Sequence, residues 1–462
     1  MKKSNIYQFL NTHALLLIVL FALAIRMVLF VSLKPWDSEV VQKNIIVGDA
    51  MEYQPLALSV LSDNSFGAFS TFRTGPYRTP GYPVFVALIY SISSDSVWVV
   101  LLVQIFLSLI SVVLVYKIAA TTFPRQVALI SSFLFAGDIT QAYWTVELYT
   151  DTLFLFLFLL SIYYLIKSIK DNSLVSVCLS ALFLGITTLV RPVSFLFPLI
   201  AVSVIFVLYN LKLRMKLVYS VLFCAIFAAA VSPWLLHNYS RFGEAKLSTI
   251  SGYNLLLYNA AYTEVYRTGK PIAEVRKDFL DLAVKQGVDT TTKYSFKNSH
   301  ILSGLAKQYI KDNFILYCKR HFMGIINMYA GLGTEKLTAV FHLKAKSFNP
   351  DHDPFGKPGI VSRILNFFQN KSKEVIFIGL GLGFYLFINY LFAIYGIYLL
   401  IGEKEKLLFL FILIILYFSV LTGVIGYDRY RIPFMPLINI LCAVGLSHFY
   451  IKLAGKRRKA VN

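Results

Sequence analysis

Acidic side chains recur near the ends of apolar segments in this sequence, where the chain would leave a membrane. Asp49 and Glu52 follow the first apolar segment, and Glu147 and Asp151 stand at the start of a later one. A carboxylate in such a position can take the proton of an attacking hydroxyl group. These residues are therefore candidates for a general base or for a group that binds a substrate.

A structural role is open for each of these carboxylates. Asp49 and Glu52 have the spacing of a capping box at a helix N-terminus. At 100° per residue, Asp49 falls on the same stripe as Tyr53 and the apolar residues after it, so the helix would carry it inward. Glu147 and Asp151 are four residues apart, so on a helix they would share a face, where they could pair with Arg191.

Arginines lie at the same segment ends. Arg191 precedes Pro192, and Arg429 and Arg431 follow Asp428 just before the last apolar segment. A guanidinium binds a phosphate through two parallel hydrogen bonds, so an anionic ligand is one interpretation. An ion pair with Asp428, or contact with lipid headgroups, is the other.

The composition excludes an ordinary soluble protein, because the 462 residues are 57% hydrophobic, 16% aromatic and only 15% charged. Apolar runs of about 18 residues or more predict transmembrane helices. The predicted spans are 12–33, 97–119, 125–143, 151–168, 173–190, 193–210, 215–236, 375–401, 406–425 and 432–452. The shorter apolar run at 81–93 is a candidate re-entrant, interfacial or tilted segment.

Lysine and arginine in six short connections place both termini on the cytoplasmic side. The sequence then divides into three parts. Residues 1–236 form a transmembrane module that includes a first outer loop at 34–96, and 237–374 form an outer segment. Residues 375–462 hold the closing helices and a basic inner tail. The first span lacks a cleavage site and is predicted to be a signal anchor.

The outer segment carries much of the net charge of +20, with twenty Lys and Arg against eleven Asp and Glu. Such a basic surface suits lipid headgroups or phosphates, and its position outside the membrane argues against nucleic acid. Apolar and basic residues alternate over 301–331, which predicts one amphipathic helix in the interface. The four cysteines show neither disulfide nor metal-ligand spacing.

With these motifs in this order, the chain resembles the polytopic glycosyltransferases of the GT-C fold. It is most similar to the group that contains the lipid A aminoarabinose transferase and the protein O-mannosyltransferases, glycosyltransferase family 39. The resemblance rests on Asp49, Arg78-Thr79-Pro80-Gly81-Tyr82-Pro83, Glu147, Leu189-Val190-Arg191-Pro192, Pro233-Trp234 with Asn238-Tyr239, and Arg429-Tyr430-Arg431-Ile432-Pro433. His237 departs from the pattern, because an Arg often precedes the Asn, and Asp138 stands where Pro is common.

The resemblance implies an all-α polytopic membrane protein with about 10–12 transmembrane helices and outer juxtamembrane helices. It also implies a sugar donor linked to a polyprenyl phosphate and transfer on the periplasmic side of a bacterial inner membrane. A leaving group already stable as an anion needs cations more than a protonating acid. A donor with one phosphate gives no strong reason for a metal, unlike a diphosphate, and no metal-ligand spacing is visible, so we expect no metal and no other cofactor.

Roles follow for the candidate residues. Asp49 and Glu147 are the expected catalytic residues, Asp49 as base and Glu147 as the group that orients the acceptor or Asp49. Arg191, Arg429 and Arg431 are expected to bind the donor phosphate. The expected substrate-binding residues are Glu52, Arg78, Tyr82, His237 and Asn238.

The partners expected are the lipid-linked sugar, membrane lipids, and a lipid, glycan or protein acceptor. Two other classes stay open at this stage. A lipid or sugar transporter or flippase would show repeats and polar groups at mid-membrane, and neither is evident here. An O-antigen polymerase or ligase would use a donor that carries a diphosphate.

Overall fold

Long apolar stretches joined by short polar turns form helices throughout the computed structural model, which describes residues 2–62, 77–292, 294–341 and 372–461. All regular secondary structure in these ranges is helical. Apolar residues on almost every face of the longer helices indicate burial in lipid as well as in the protein. The chain is an all-α integral membrane protein, as the sequence predicts.

The longer helices follow one another with short connections through most of the chain. In order they are α1 (Lys2–Leu33), α2 (Ala50–Ser62), α3 (Gly81–Ser93), α4 (Val97–Ala120), α5 (Arg125–Ala136), α6 (Asp151–Asp171), α7 (Leu174–Val190), α8 (Phe197–Leu208), α9 (Leu213–Phe242), α10 (Ala261–Thr268), α11 (Ile272–Lys285), α12 (Phe296–Asp312), α13 (Phe314–Ala330), α14 (Thr334–Val340), α15 (Lys373–Gly402), α16 (Leu407–Leu421) and α17 (Met435–Val461).

Short helical pieces fill several connections. Ser38–Val40, Ile139–Tyr143 and Ile250–Asn254 are brief α-helices, and Val41–Ile45 and Leu255–Ala260 are π-helical. Trp144–Val146, Pro192–Ser194 and Asp428–Arg431 are 3₁₀ turns. Irregular helical turns of these kinds are frequent at functional sites, and the three 3₁₀ turns coincide with the predicted site motifs.

Six described helices are long and apolar enough to cross a membrane, namely α1 from Thr12, α4, α6, α9, α15 and α17 to Ala454. The apolar helices α3, α5, α7, α8 and α16 are shorter, with 12 to 17 residues each. A helix perpendicular to the bilayer needs about 20 residues to span the hydrocarbon core. Four of the ten predicted spans thus correspond to helices below the full spanning length.

The predicted span 125–143 is wrong, because the helix α5 ends at Ala136. Gly137 closes that helix, and Asp138 begins a separate short helix by accepting the Gln141 N–H at 3.1 Å. A carboxylate that binds free N–H groups at a helix start stabilises a new helix rather than continuing the old one. This break separates α5 from the turn that carries Glu147.

The single amphipathic helix predicted over 301–331 is also wrong. The helix α12 ends at Asp312, and Asn313 interrupts the chain before α13 begins at Phe314. Asn313 caps the break, because its backbone N–H and its side-chain Nδ2 both donate to the Tyr309 carbonyl at 3.0 Å. The outer segment is nevertheless mostly helical over its described part, which excludes 293 and 342–371.

One charged residue lies deep within the first span. Arg26 is fully buried in α1, and its Nε donates to Ser108 Oγ at 2.8 Å while Nη2 donates to Gln141 Oε1 at 2.6 Å. Its Nη1 donates to the Ala22 and Ala136 carbonyls at 3.0 and 3.2 Å. A charge at membrane depth is costly unless it is paired in this way. Through these hydrogen bonds the arginine connects α1 with α4, with the end of α5 and with the short helix that follows α5.

The last helix, α17, packs on α15 through two glycines that permit close backbone approach. A Cβ on Gly445 would lie 3.1 Å from the Phe392 carbonyl carbon and 3.2 Å from the Gly396 nitrogen. A Cβ on Gly396 would lie 3.0 Å from the Leu441 carbonyl carbon. Small residues at such contacts allow van der Waals packing between helices in lipid. This packing holds the helix that follows Arg429.

Replacing Gly445 with alanine should separate these two helices and lower stability by about 1–3 kcal/mol, since a methyl group would overlap backbone atoms. Gly381→Ala on α15 is a matched control, because a Cβ there meets nothing within 4 Å. Thermal unfolding of both purified variants in detergent measures the difference. Equal unfolding temperatures for the two variants would contradict the close packing.

Candidate active site

Asp49 is held between two arginines that come from opposite ends of the chain. Its Oδ1 accepts a hydrogen bond from Arg78 Nη2 at 2.8 Å, and its Oδ2 accepts one from Arg429 Nη2 at 3.1 Å. Glu52 binds the other side of Arg78, accepting from Nε at 2.5 Å. The helix α2, the turn before α3 and the turn before α17 therefore meet at this carboxylate.

The start of α6 fixes the backbone on which Asp49 is carried. Gly48 has φ +58°, and a Cβ there would lie 2.5 Å from the Tyr149 hydroxyl oxygen. That hydroxyl donates to the Val47 carbonyl at 3.0 Å and accepts from the Asp49 N–H at 3.3 Å. Only glycine combines this left-handed conformation with the close approach of a ring.

The turn that carries Arg78 is fixed against the end of α7. Thr79 Oγ1 donates to the Val190 carbonyl at 3.1 Å. A Cβ on Gly81 would lie 2.7 Å from the Leu189 carbonyl oxygen, so the chain packs there without any side chain. The motif Arg78-Thr79-Pro80-Gly81 thus packs against the last two residues of α7, just before Arg191.

A second ion pair adjoins the first. Arg191 Nη1 donates to Asp151 Oδ1 at 2.5 Å, and the same oxygen lies 4.0 Å from Arg429 Nε. Arg429 therefore stands between the carboxylates of Asp49 and Asp151. We call the six residues Asp49, Glu52, Arg78, Asp151, Arg191 and Arg429 the ion-pair cluster.

Aromatic rings surround the cations of the ion-pair cluster. The Arg78 guanidinium lies 5.1 Å from the Tyr53 ring centroid, and that of Arg429 lies 5.2 Å from the centroids of both Trp144 and Tyr149. Cation–π contact stabilises a guanidinium that has left bulk water. The rings also limit the positions each arginine can adopt.

The arginines control the charge state of Asp49. Partial burial acts to raise the pKa of this carboxyl group, but the charges of Arg429 and then Arg78 outweigh it and lower the pKa to about 2. Burial acts to lower the pKa of Arg429, and the nearby carboxylates of Asp151 and Asp49 raise it well above its usual value. Asp49 is therefore ionised over the whole physiological range.

The pKa of Glu147 is shifted in the opposite direction to that of Asp49. Its side chain is 3% exposed, and its buried Oε2 has no hydrogen-bond partner among the described residues. Burial raises its pKa to about 8, although the charges of Lys336 and Arg429 act to lower it. At neutral pH this carboxyl group is mostly protonated and can donate a hydrogen bond.

The other predicted binding residues lie around the cluster rather than in it. Tyr82 is fully buried and donates its hydroxyl hydrogen to Gln104 Oε1 at 2.8 Å, while Gln104 Nε2 donates to the Glu147 carbonyl at 2.8 Å. At the end of α9, His237 stacks on Trp234 with a centroid distance of 5.1 Å. Asn238 is fully buried and donates to the Lys246 carbonyl at 2.6 Å.

Arg431 makes contacts different from those of Arg429. It is 1% exposed, and its Nη1 donates to the carbonyls of Met328 and Gly331 at 2.9 and 2.5 Å. Its Nη2 lies 3.5 Å from Thr140 Oγ1. This geometry fixes the turn between α13 and α14, and it leaves little of the guanidinium for a phosphate.

Three further residues lie at the site, although none of them was assigned a role there. Asp151 was a candidate beside Glu147, and it is Asp151 that binds Arg191. The shared helix face predicted for the two carboxylates is wrong, because the backbone of Glu147 is extended and α6 begins only at Asp151. Nothing in the sequence indicated a role in the site for Trp144 or Lys336. A tryptophan at this position fits an ordinary aromatic belt, and a lysine fits the basic outer segment.

Among the residues that the structure describes, no group of three or more His, Cys, Asp or Glu side chains is placed to hold a metal. The three carboxylates of the ion-pair cluster bind guanidinium groups instead. The arrangement can bind an anion at the arginines and accept a proton at Asp49.

Known proteins share this fold. The archaeal oligosaccharyltransferase AglB from Archaeoglobus fulgidus, in complex with an inhibitory peptide and a dolichol-phosphate, superimposes with a TM-score of 0.55 at 15% identity. The match covers 97% of this chain and 52% of AglB. This chain has the GT-C fold. The resemblance inferred from the sequence is confirmed at that level.

Other solved structures also match this chain. The same oligosaccharyltransferase, tethered with an acceptor peptide that contains the NVT sequon, gives a TM-score of 0.55, 14% identity and coverage of 97% and 51%. ArnT from Cupriavidus metallidurans, bound to undecaprenyl phosphate, gives a TM-score of 0.40, 13% identity and coverage of 92% and 76%. The chain spans about half the length of the oligosaccharyltransferase.

A sequence model of the family described as dolichyl-phosphate-mannose-protein mannosyltransferase matches residues 77–237, less than half of the chain. No curated protein matches this sequence. The matched range contains Arg78, Glu147, Asp151 and Arg191, which is most of the site. Asp49 lies before it, and Arg429 lies after it.

Glu147→Gln should change the pH dependence of stability. Between about pH 4.5 and 8 the unfolded chain releases the Glu147 proton while the folded protein keeps it, so this group destabilises the fold as pH rises. The variant should match the native protein near pH 4.5 and exceed its stability near neutral pH by about 1–3 kcal/mol. Thermal unfolding from about pH 4.5 to 8 measures both. Parallel curves would contradict the assignment.

Proposed function

We propose that this protein is a membrane glycosyltransferase that moves a sugar from a polyprenyl-phosphate donor to an acceptor on the outer side of a bacterial inner membrane. The observation that carries the proposal is Asp49 bound by Arg78 and Arg429. That arrangement unites a base with cations suited to an anionic leaving group. The GT-C fold adds support from a separate direction.

A donor with one phosphate is supported by two comparisons. The family that matches residues 77–237 is named for a dolichyl-phosphate sugar. The oligosaccharyltransferase of similar fold was solved with a dolichol-phosphate. Transfer from such a lipid leaves a phosphate anion without any added proton, so cations alone stabilise the departure. The guanidinium groups of Arg78, Arg191 and Arg429 could stabilise the departing phosphate in this way.

The reaction balances with residues of this chain. An acceptor hydroxyl oxygen attacks the anomeric carbon of the sugar, and its proton passes to a carboxylate oxygen of Asp49. The bond between that carbon and the phosphate oxygen breaks, and its electron pair stays on the departing polyprenyl phosphate. Arg429 stabilises the new negative charge. Glu147, protonated beside the site, can donate one hydrogen bond to a bound substrate.

The low pKa of Asp49 bears on the order of events. A carboxylate that binds two guanidinium groups is a weak base, because both cations stabilise its ionised form. A donor phosphate that accepts hydrogen bonds from Arg429 would compete with Asp49 for that cation. Asp49 would then gain basicity only once the donor is bound, which favours donor binding before the acceptor reacts.

Asp49→Asn should lower sugar transfer by at least about 100-fold, since an amide cannot accept the proton. The assay follows labelled sugar from a polyprenyl-phosphate donor into envelope glycolipids, glycans and proteins of isolated membranes. Asp278→Asn is the matched control, because Asp278 lies in the outer segment and its side chain is 59% exposed. Full activity of a well-expressed Asp49→Asn protein would show that the assigned base is wrong.

The donor class can be tested with paired substrates that differ by one phosphate. We expect transfer from a polyprenyl-monophosphate sugar and at least tenfold less from the diphosphate, because the arginines are already balanced by carboxylates and offer few free donors. Preference for the diphosphate would favour a polymerase or ligase. Substrate flux in proteoliposomes without any transfer would favour a transporter.

A further inference from the structure

The charges of the ion-pair cluster cancel. Asp49, Glu52 and Asp151 supply three carboxylates, and Arg78, Arg191 and Arg429 supply three guanidinium groups, all within 4.0 Å of a partner. Glu147 adds no charge while it is protonated. An anionic ligand that entered this neutral cluster would have to break existing ion pairs, which is costly at a partly buried site.

One more cation stands beside the cluster. The Lys336 ammonium lies 5.6 Å from the Trp144 ring centroid, and the Arg429 guanidinium lies 5.2 Å from the same centroid. Within the described ranges, Lys336 forms no ion pair with any carboxylate. Two cations therefore flank one buried indole, and only Arg429 is neutralised.

Unsatisfied polar atoms lie next to this pair. Arg429 Nε is buried without a hydrogen-bond acceptor, and Glu147 Oε2 is buried without any hydrogen-bond partner among the described residues. The Glu147 carboxyl group is near enough to Lys336 and Arg429 to respond to the charge of both. A phosphate group would supply oxygen acceptors for the guanidinium, the ammonium and a protonated carboxyl group at once.

The position of Lys336 is fixed by the packing of α14 and by contacts of the turn before it. On α14, Leu337 and Val340 are 3% and 1% exposed and belong to the main apolar core, which anchors this short helix. Gly331 before it accepts from Arg431, and a Cβ on Gly333 would lie 2.6 Å from Asp428 Oδ2. The turn that carries Arg429 therefore also holds the turn that leads to Lys336.

We propose that Lys336, Arg429 and Glu147 around Trp144 form the binding site for the phosphate group of the lipid donor, with Lys336 as its uncompensated cation. This inference rests on the proposed function and names the residue that gives the site its net positive charge. Lys336 binds the phosphate directly and takes no part in proton transfer. Arg431, in this arrangement, is a positioning residue for the turn before Lys336.

The test measures binding of a radiolabelled short-chain polyprenyl phosphate to the purified full-length protein in nanodiscs, with the matching polyprenol as a ligand that lacks the phosphate. Lys336→Gln should weaken phosphate binding about tenfold or more, because a charge-assisted hydrogen bond is lost. Polyprenol binding should not change. Lys336→Arg should keep most of the phosphate affinity, and Lys311→Gln, an exposed lysine on α12, should behave as the native protein.

Each outcome decides a separate point. If Lys336→Gln binds the phosphate as tightly as the native protein while both transfer sugar, the Lys336 site is wrong and the proposed function stands. If polyprenol binding falls equally, or if the Arg variant fails like the Gln variant, the role of Lys336 is structural and the site is also wrong. If the native protein neither binds polyprenyl phosphate nor transfers sugar from it, the proposed function fails first.

Discussion

The ion pairs of Asp49 with Arg78 and Arg429 are the constraint on which the rest of the site depends. They join two turns and the start of α2 across a cluster with no net charge. A buried carboxylate without these cations would be costly, and so would each arginine without its carboxylate. The glycines around them, Gly48 and Gly81 among others, allow the backbone to come close enough for the pairs to form.

Much of this arrangement could be predicted from the side of the membrane on which each residue was expected to lie. Lysine and arginine in the short loops placed Asp49, Arg191 and Arg429 on one side, and side chains confined to one end of a bundle have few places to lie. The choice of partners could not be predicted. Arg191 binds Asp151 rather than Glu147, because Asp151 begins α6 whereas Glu147 lies in extended backbone before that helix.

Other differences between the expected and the observed contacts have similar causes. Arg431 binds the carbonyl oxygens of Met328 and Gly331. Because every residue has a backbone carbonyl, the residue types in the sequence cannot predict which carbonyls an arginine will bind. The span expected over 125–143 is divided at Asp138, because a carboxylate that caps a helix has a local effect stronger than average hydropathy. Apolar windows report composition over a stretch, whereas helix ends depend on single side chains.

The contact between Asp49 and Arg429 joins residues 380 positions apart. Such a contact forms late, because a ribosome must deliver all the residues between the two before the second one leaves it. Until then the carboxylate lacks one of its two cations, and the turn that positions Lys336 lacks the support of Arg431. A chain synthesised as far as α15 could thus form the pairs of Arg78 and Arg191 but not those of Arg429, so the ion-pair cluster would be complete only after the turn that follows α16 has left the ribosome.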